Sequence, residues 1–225
     1  MKIRRRKGSF CITLGVLLIA AALLLIVYNL WDSGRAKEAS GDILEKMEAA
    51  MTDDRWALPG YIDPDGEMPT LEVDGYAYIG ILEIPSLGLR LPVMDQWDYD
   101  RLRYSPCRYS GSYYSQDLVI CAHNFASHFG PIRNVNMGAD VYLITVKGQV
   151  LHYQVANRET MKPTAIEEMT GNTQAGNAQA SNIQGGNTQN GNSQSGNIQE
   201  EWALTLFTCN LGGQTRCAVR CVLAE

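Results

Sequence analysis

From Gly75 onward, apolar and polar residues alternate with a period of two. The runs "YAYIGILEI", "LRLPVM", "DLVICAHN", "VYLITV", "QVLHYQVA", "WALTLFTC" and "RCAVRCVLA" are set apart by Gly, Pro, Asn and Asp. Short alternating runs between turn-forming residues predict β-strands. Their succession predicts a mainly β domain, a mostly antiparallel barrel or sandwich. Short helices are predicted in "DYDRLRYS" and in "TAIEEM", where Thr164 and Glu167 have the spacing of a capping box. Upstream the pattern differs. Phe10 to Tyr28 is apolar on every face, and from Ser33 to about Asp54 helix formers carry Ile43, Leu44, Met47 and Met51 at helical spacing. Pro59, Gly60, Pro64 and Gly66 then break any helix.

These changes of pattern divide the chain into a basic tail and apolar span (1–31), a stalk and linker (32–73) and a β domain (74–225). One insert stands outside the alternation. Residues 171–200 repeat every five positions, as GNTQA, GNAQA, SNIQG, GNTQN, GNSQS and GNIQE. With almost no charge and little apolar surface, such a segment cannot offset its ordering entropy, and it is expected to be a disordered loop between two strands. A β-helix rung is the rival reading, but five residues is not a usual rung period and alternating apolar positions are missing.

Charge changes the picture of the first 31 residues. Lys2, Arg4, Arg5, Arg6 and Lys7 precede the apolar run, and no acid occurs before Asp32. The run of uncharged residues spans about 28 Å as a helix at ~1.5 Å per residue, enough to cross a bilayer. It exceeds the usual ~7–15 apolar residues of a signal peptide, and no small-x-small site follows before Trp31. An uncleaved single-pass anchor is expected, with the N-terminus inside and the remainder outside the cell. Beyond the basic cluster, 14 basic residues face 24 acidic ones. That balance argues against nucleic acid as a partner.

The candidate chemistry rests on six cysteines and three histidines. Cys11 lies in the apolar span. Cys217 and Cys221 share a face of one strand with Val219 and read as core residues, about 13 Å apart and unable to bridge each other. The sequence does not decide whether Cys107 and Cys121 pair. Cys209 closes "LTLFTC" and is followed by a turn, which brings it toward solvent. A cysteine nucleophile needs a neighbouring base or cation. His152 reads as a half-exposed strand residue and His128 as a surface imidazole. His123 ends the apolar strand "DLVICAH" where a barrel presents side chains at its rim. Cys121, two residues earlier on the same face, is a rival nucleophile but sits within an apolar run. After the turn "NLGGQ", an antiparallel return brings Arg216 alongside Cys209, with Arg220 on the same face as the alternative partner for an oxyanion.

Taken together, these residues resemble the sortase family of membrane-anchored cysteine transpeptidases from Gram-positive bacteria. "TLFTC" is similar to the family's T-L-x-T-C strand, "CAHN" to its strand-end histidine, "TRCAVRC" to its arginine strand, and "YIGILEIPSLGLRLPV" to its opening strand pair. The likeness covers about residues 75–169 and 201–225. It implies an eight-stranded β-barrel in which Cys209 attacks the Thr-Gly bond of an LPxTG-like sorting signal borne by a surface protein or pilin. A thioacyl enzyme would pass to an amine of a cell-wall precursor or a pilin lysine. The resemblance implies that His123 shuttles protons, Arg216 stabilises the oxyanion and Thr208 lines the peptide groove, with no cofactor or metal expected. Ala122 stands where many relatives have glycine, and the insert falls where the family builds its substrate groove. Two rival readings keep the anchor: a sorting-signal hydrolase, and an inert tethered adhesin or scaffold.

Overall fold

The computed structural model describes residues 2–51, 66–171, 202–210 and 212–224. The pentapeptide repeat and most of the expected linker lie outside the described residues. Helix α1 (Lys2–Ala50) leads into β1 (Leu71–Val73), β2 (Tyr76–Ile84), β3 (Leu89–Met94), β4 (Cys107–Ser110), β5 (Leu118–Ala122), β6 (Asp140–Thr145) and β7 (Val150–Met161). Helix α2 (Ile166–Thr170), β8 (Leu204–Cys209) and β9 (Arg216–Leu223) complete the order. Strands run β2-β3-β4-β5-β8-β9-β7-β6, and β6 pairs again with β2, which closes an eight-stranded barrel. β1 is a short arm paired to β2. Two pairings are parallel, β3 with β4 and β5 with β8; the others are antiparallel.

The alternation sends one set of side chains into the barrel and the other outward. Inside lie Ile79, Leu91, Val93, Leu118, Ile120, Leu143, Leu204, Leu206 and Val219. Cys217 and Cys221 join them and are buried, in agreement with their reading as core residues. A second apolar cluster covers part of the outer face, including Tyr78, Ile81, Met94, Cys107, Val119, Cys121, Phe207 and Ala218. It is roofed by Ile43 and Met47 of α1 and by Met161 and Met169.

The docking of α1 was not foreseen in a segment read as a stalk. Ala36, Ser40, Ile43 and Met47 are buried at steps of four, three and four residues, one stripe of the helix. Salt bridges from Lys46 to Asp74 (2.5 Å) and Glu48 to Arg90 (2.7 Å) flank the stripe. The N-terminal part of the same helix is apolar, unburied and long enough to cross a membrane. Both expected short helices are present, each reduced to little more than a turn. "DYDRLRYS" holds only a 3-10 turn at Arg101–Arg103. α2 has Ala165 at its N-cap without a side-chain cap bond, so Thr164 and Glu167 form no capping box.

His128 corrects another expectation. It is completely buried, not a surface imidazole, because the loop after β5 folds under α1. Ser40 Oγ donates to the Tyr104 carbonyl at 2.5 Å, so it accepts from His128 Nε2–H at 3.2 Å. Burial, with His123 nearby, pushes the His128 pKa down to about 4.

Two outcomes follow from this architecture. A Cβ on Gly80 would overlap the Ile144 carbonyl oxygen and lie 3.1 Å from its carbon, at the β2–β6 seam. Gly80→Ala should therefore cost about 1–3 kcal/mol in urea unfolding, and an unchanged midpoint would show that the seam yields. The neutral His128 of the folded chain binds its proton only near pH 4, whereas the unfolded chain binds it near pH ~6.5. Stability from this residue is present above pH ~6.5 and is lost as the pH falls toward 4, by about 3 kcal/mol in all. His128→Gln should narrow the gap between unfolding midpoints at pH 7 and pH 4.5; an equal gap in both proteins would assign the acid loss elsewhere.

Candidate active site

Strand register assembles the site. β5 and β8 run parallel with Ala122 opposite Thr208. Carried one residue further, this register sets His123 beside Cys209. On the other side of β8, antiparallel β9 places Arg216 directly opposite Cys209. Residues in register share a face of the sheet, so His123, Cys209 and Arg216 form one row across three strands at the barrel rim. The row lies on the outer face, since Phe207 and Cys121, each two residues before a member of it, belong to the outer cluster. Cys209 and His123 are both half-buried.

Thr208 points the other way. It is buried and its Oγ1 donates to the Ala122 carbonyl at 2.8 Å. The hydroxyl thus ties β8 to β5 at the step before the row. Cys121, the rival nucleophile, is buried; burial is the main cause that pushes its thiol pKa up. The Arg216 guanidinium is partly exposed and donates from Nη1 to the carbonyls of Gly213 (3.1 Å) and Thr215 (3.4 Å) in the β8–β9 turn.

Arg220 shares the face but is fully engaged. It donates from Nε to Glu159 (2.8 Å) and from Nη1 to Thr205 Oγ1 (2.9 Å) and the Met169 carbonyl (2.8 Å). Nη2 donates to the Glu168 carbonyl. The buried cation is neutralised by Glu159 and holds the carbonyls that close α2. Its donors are committed to structure, which leaves Arg216 as the arginine beside Cys209.

The sequence reading missed the surroundings of the row. Asp32 of α1 acts on His123, as does Arg103, and both line a cleft of about 250 Å³ with Arg35 and Tyr104. Burial lowers the His123 pKa, Asp32 opposes that shift and Arg103 adds to it. The imidazole is therefore neutral at pH 7 and free to accept a proton. Phe125 lies over it, with ring centroids 4.9 Å apart. A second group continues from Phe207: Tyr109 meets it edge-on at 5.2 Å, Trp97 lies 5.2 Å from Tyr109, and Tyr99 5.7 Å from Trp97. The place of Phe207 two residues before Cys209 is the signal that could have found it; Trp97 and Tyr99 connect to it through Tyr109, from a loop that no periodicity marks. The other titratable pair, His152 with Asp140 at 2.8 Å, lies apart on β7 and β6.

The charges around His123 make its titration adjustable. Arg103→Gln should raise the His123 pKa and Asp32→Asn should lower it, read from the imidazole Cε1 proton shift. Movement in the opposite sense, or none in either variant, would leave burial as the only control.

Comparison with known proteins gives the family of the chain. The sortase domain family model matches residues 82–224, well over half of the chain. No curated protein matches. Among solved structures, sortase C1 of GBS pilus island 1 is 19% identical with a TM-score of 0.50, over 86% of this chain and 83% of that one. Streptococcus pneumoniae sortase C is 21% identical with a TM-score of 0.49, over 86% and 89%. Sortase C from Clostridium perfringens SM101 is 19% identical with a TM-score of 0.48, over 84% and 90%. A closed eight-stranded barrel, an N-terminal apolar helix and a family match that spans the barrel lead to one conclusion: this chain belongs to the sortase family.

Proposed function

We propose that the protein is a cysteine transpeptidase that cleaves an LPxTG-like sorting signal and joins the released carbonyl to an amine outside the cell. The observation that carries this reading is the row His123–Cys209–Arg216, set by the register of β5, β8 and β9. His123, neutral at pH 7, takes the Cys209 thiol proton as sulfur attacks the Thr-Gly carbonyl. Negative charge then develops on the carbonyl oxygen. The Arg216 guanidinium, held by turn carbonyls in the free protein, swings to that oxygen and stabilises it through paired N–H donors. The histidine returns its proton to the departing glycine amine and a thioacyl enzyme remains. An amine of a cell-wall precursor or a pilin lysine gives a proton to His123, attacks the thioester and regenerates the thiol.

The apolar part of α1 serves as a single-pass anchor with the basic residues inside, which places the barrel outside the cell beside its membrane-attached substrates. Phe207 and the aromatic residues beyond it provide an apolar floor next to Cys209 for the sorting signal.

The test is incubation of the full chain in detergent with a quenched sorting-signal peptide and an amine acceptor, followed by intact mass. A thioacyl adduct on Cys209 that passes to the amine is expected, and Cys209→Ala should abolish it. Arg216→Lys keeps the charge but loses the fork and should lower kcat/KM by roughly 10²–10³-fold. Release to water alone, with no amine product at any acceptor concentration, would make the protein a hydrolase; no adduct with any sorting-signal peptide would refute the transpeptidase reading.

A further inference from the structure

Three of the six cysteines stand side by side on the outer face of the barrel. Cys107 of β4 is directly opposite Cys121 of β5 in an antiparallel pair. Cys121 is in turn opposite Phe207 of β8, two residues before Cys209, which makes Cys209 its diagonal neighbour. Cys107 and Cys121 belong to the same outer cluster and are both buried, as free thiols in this structure.

The two contacts differ in reach. Directly opposite residues of an antiparallel pair have Cα atoms ~4.5 or ~5.5 Å apart, and both spacings fall within the ~4.4–6.8 Å range of disulfides. A diagonal neighbour lies at roughly 7–8 Å, so a Cys121–Cys209 bond needs the end of β8 to shift toward β5. Cys209 is the last residue of β8, where such a shift is least resisted.

We propose that Cys107 and Cys121 form a cross-strand disulfide once the chain is outside the cell, and that this bond keeps Cys121 from capturing the neighbouring Cys209. An external disulfide is the oxidant: Cys107 and Cys121 give up two electrons and two protons as their sulfurs join, and the external S–S bond is reduced to two thiols. The bond forms while β4 and β5 come together, because the finished fold buries both sulfurs. Burial also holds their thiols protonated, with Cys107 pushed up to about 12, which slows exchange after folding. Without the bond, a shift of the β8 end that brings Cys209 toward β5 also uncovers the Cys121 thiol, which loses its proton to solvent and attacks a mixed disulfide on Cys209; the small thiolate leaves and Cys121–Cys209 remains. The nucleophile is then lost.

This inference rests on the outward placement of the barrel, and its readout does not depend on transpeptidation. The full chain is purified from membranes in detergent, exposed to oxidised glutathione, unfolded in iodoacetamide without reductant and mapped by peptide mass. In the wild type, Cys107 and Cys121 should appear as one linked peptide pair and Cys209 should be alkylated. In Cys107→Ser, a Cys121–Cys209 linked pair should appear and Cys209 alkylation should fall roughly tenfold. The double variant Cys107→Ser/Cys121→Ser should restore it. Alkylation of Cys107 and Cys121 in the wild type overturns the disulfide, and wild-type Cys209 alkylation in Cys107→Ser overturns the guarding role. The same linkage pattern in a protein that makes no adduct with sorting-signal peptides would refute the transpeptidase reading and leave this one standing.

Discussion

The parallel pairing of β5 with β8 sets His123 beside Cys209 and so fixes the centre of the row at the barrel rim. The two strands arrive from distant parts of the sequence, and Ala122 must fall opposite Thr208 for His123 to stand beside Cys209. A slip by one residue would turn Cys209 toward the barrel interior, because side chains alternate with a period of two. The Thr208 hydroxyl, bonded to the Ala122 carbonyl in a buried position, adds a side-chain lock to the backbone ladder at that step. A buried side chain thus helps to hold the register that sets His123 beside Cys209.

Two helices pack on the outside of the barrel, each held in its own way. α1 relies on small residues at the point of closest approach: Ala36 and Ser40 let the backbone come close enough for Ser40 to meet both His128 and Tyr104. α2 relies on Arg220. Five residues cannot sustain a helix by propensity, and its closing carbonyls gain a charged donor from β9 instead. Burying a guanidinium costs several kcal/mol unless it is paired and bonded, and here Glu159 supplies the charge while carbonyls and Thr205 take the remaining donors. The same face of β9 therefore carries two arginines in different states, one tied into the fold and one at the rim.

The strands, the apolar N-terminal helix and the positions of Cys209, His123 and Arg216 were legible because each follows from periodicity or from the end of a periodic run. Cys217 and Cys221 were legible as core for the same reason. His128 was not: "NFASHFGP" is polar in composition, and only the approach of α1 from nearly 90 residues away converts it into an interior loop. The docking of the presumed stalk was half legible, since Ile43 and Met47 marked an apolar stripe but nothing in the sequence named what it would cover. Thr208 was named from its motif position, and its place between Phe207 and Cys209 puts it on the opposite face of β8 from the row. Local signals gave the elements; partners far apart in sequence gave the burial.

Burial also explains why one cysteine of this chain is set apart from the rest. Cys121 and Cys209 lie on the same outer face of adjacent strands, yet Cys121 sits two residues before a rim histidine and beneath the apolar cluster, whereas Cys209 occupies the last position of its strand. A thiol in the first environment is held protonated by desolvation, and its sulfur has no path to a peptide carbonyl. At the strand end, the turn that follows leaves one side of the sulfur open while the barrel still fixes its direction. The distinction needs no difference in residue type, only a shift of one pleat along the strand, and it places the Cys209 sulfur at the point where a rigid sheet meets solvent.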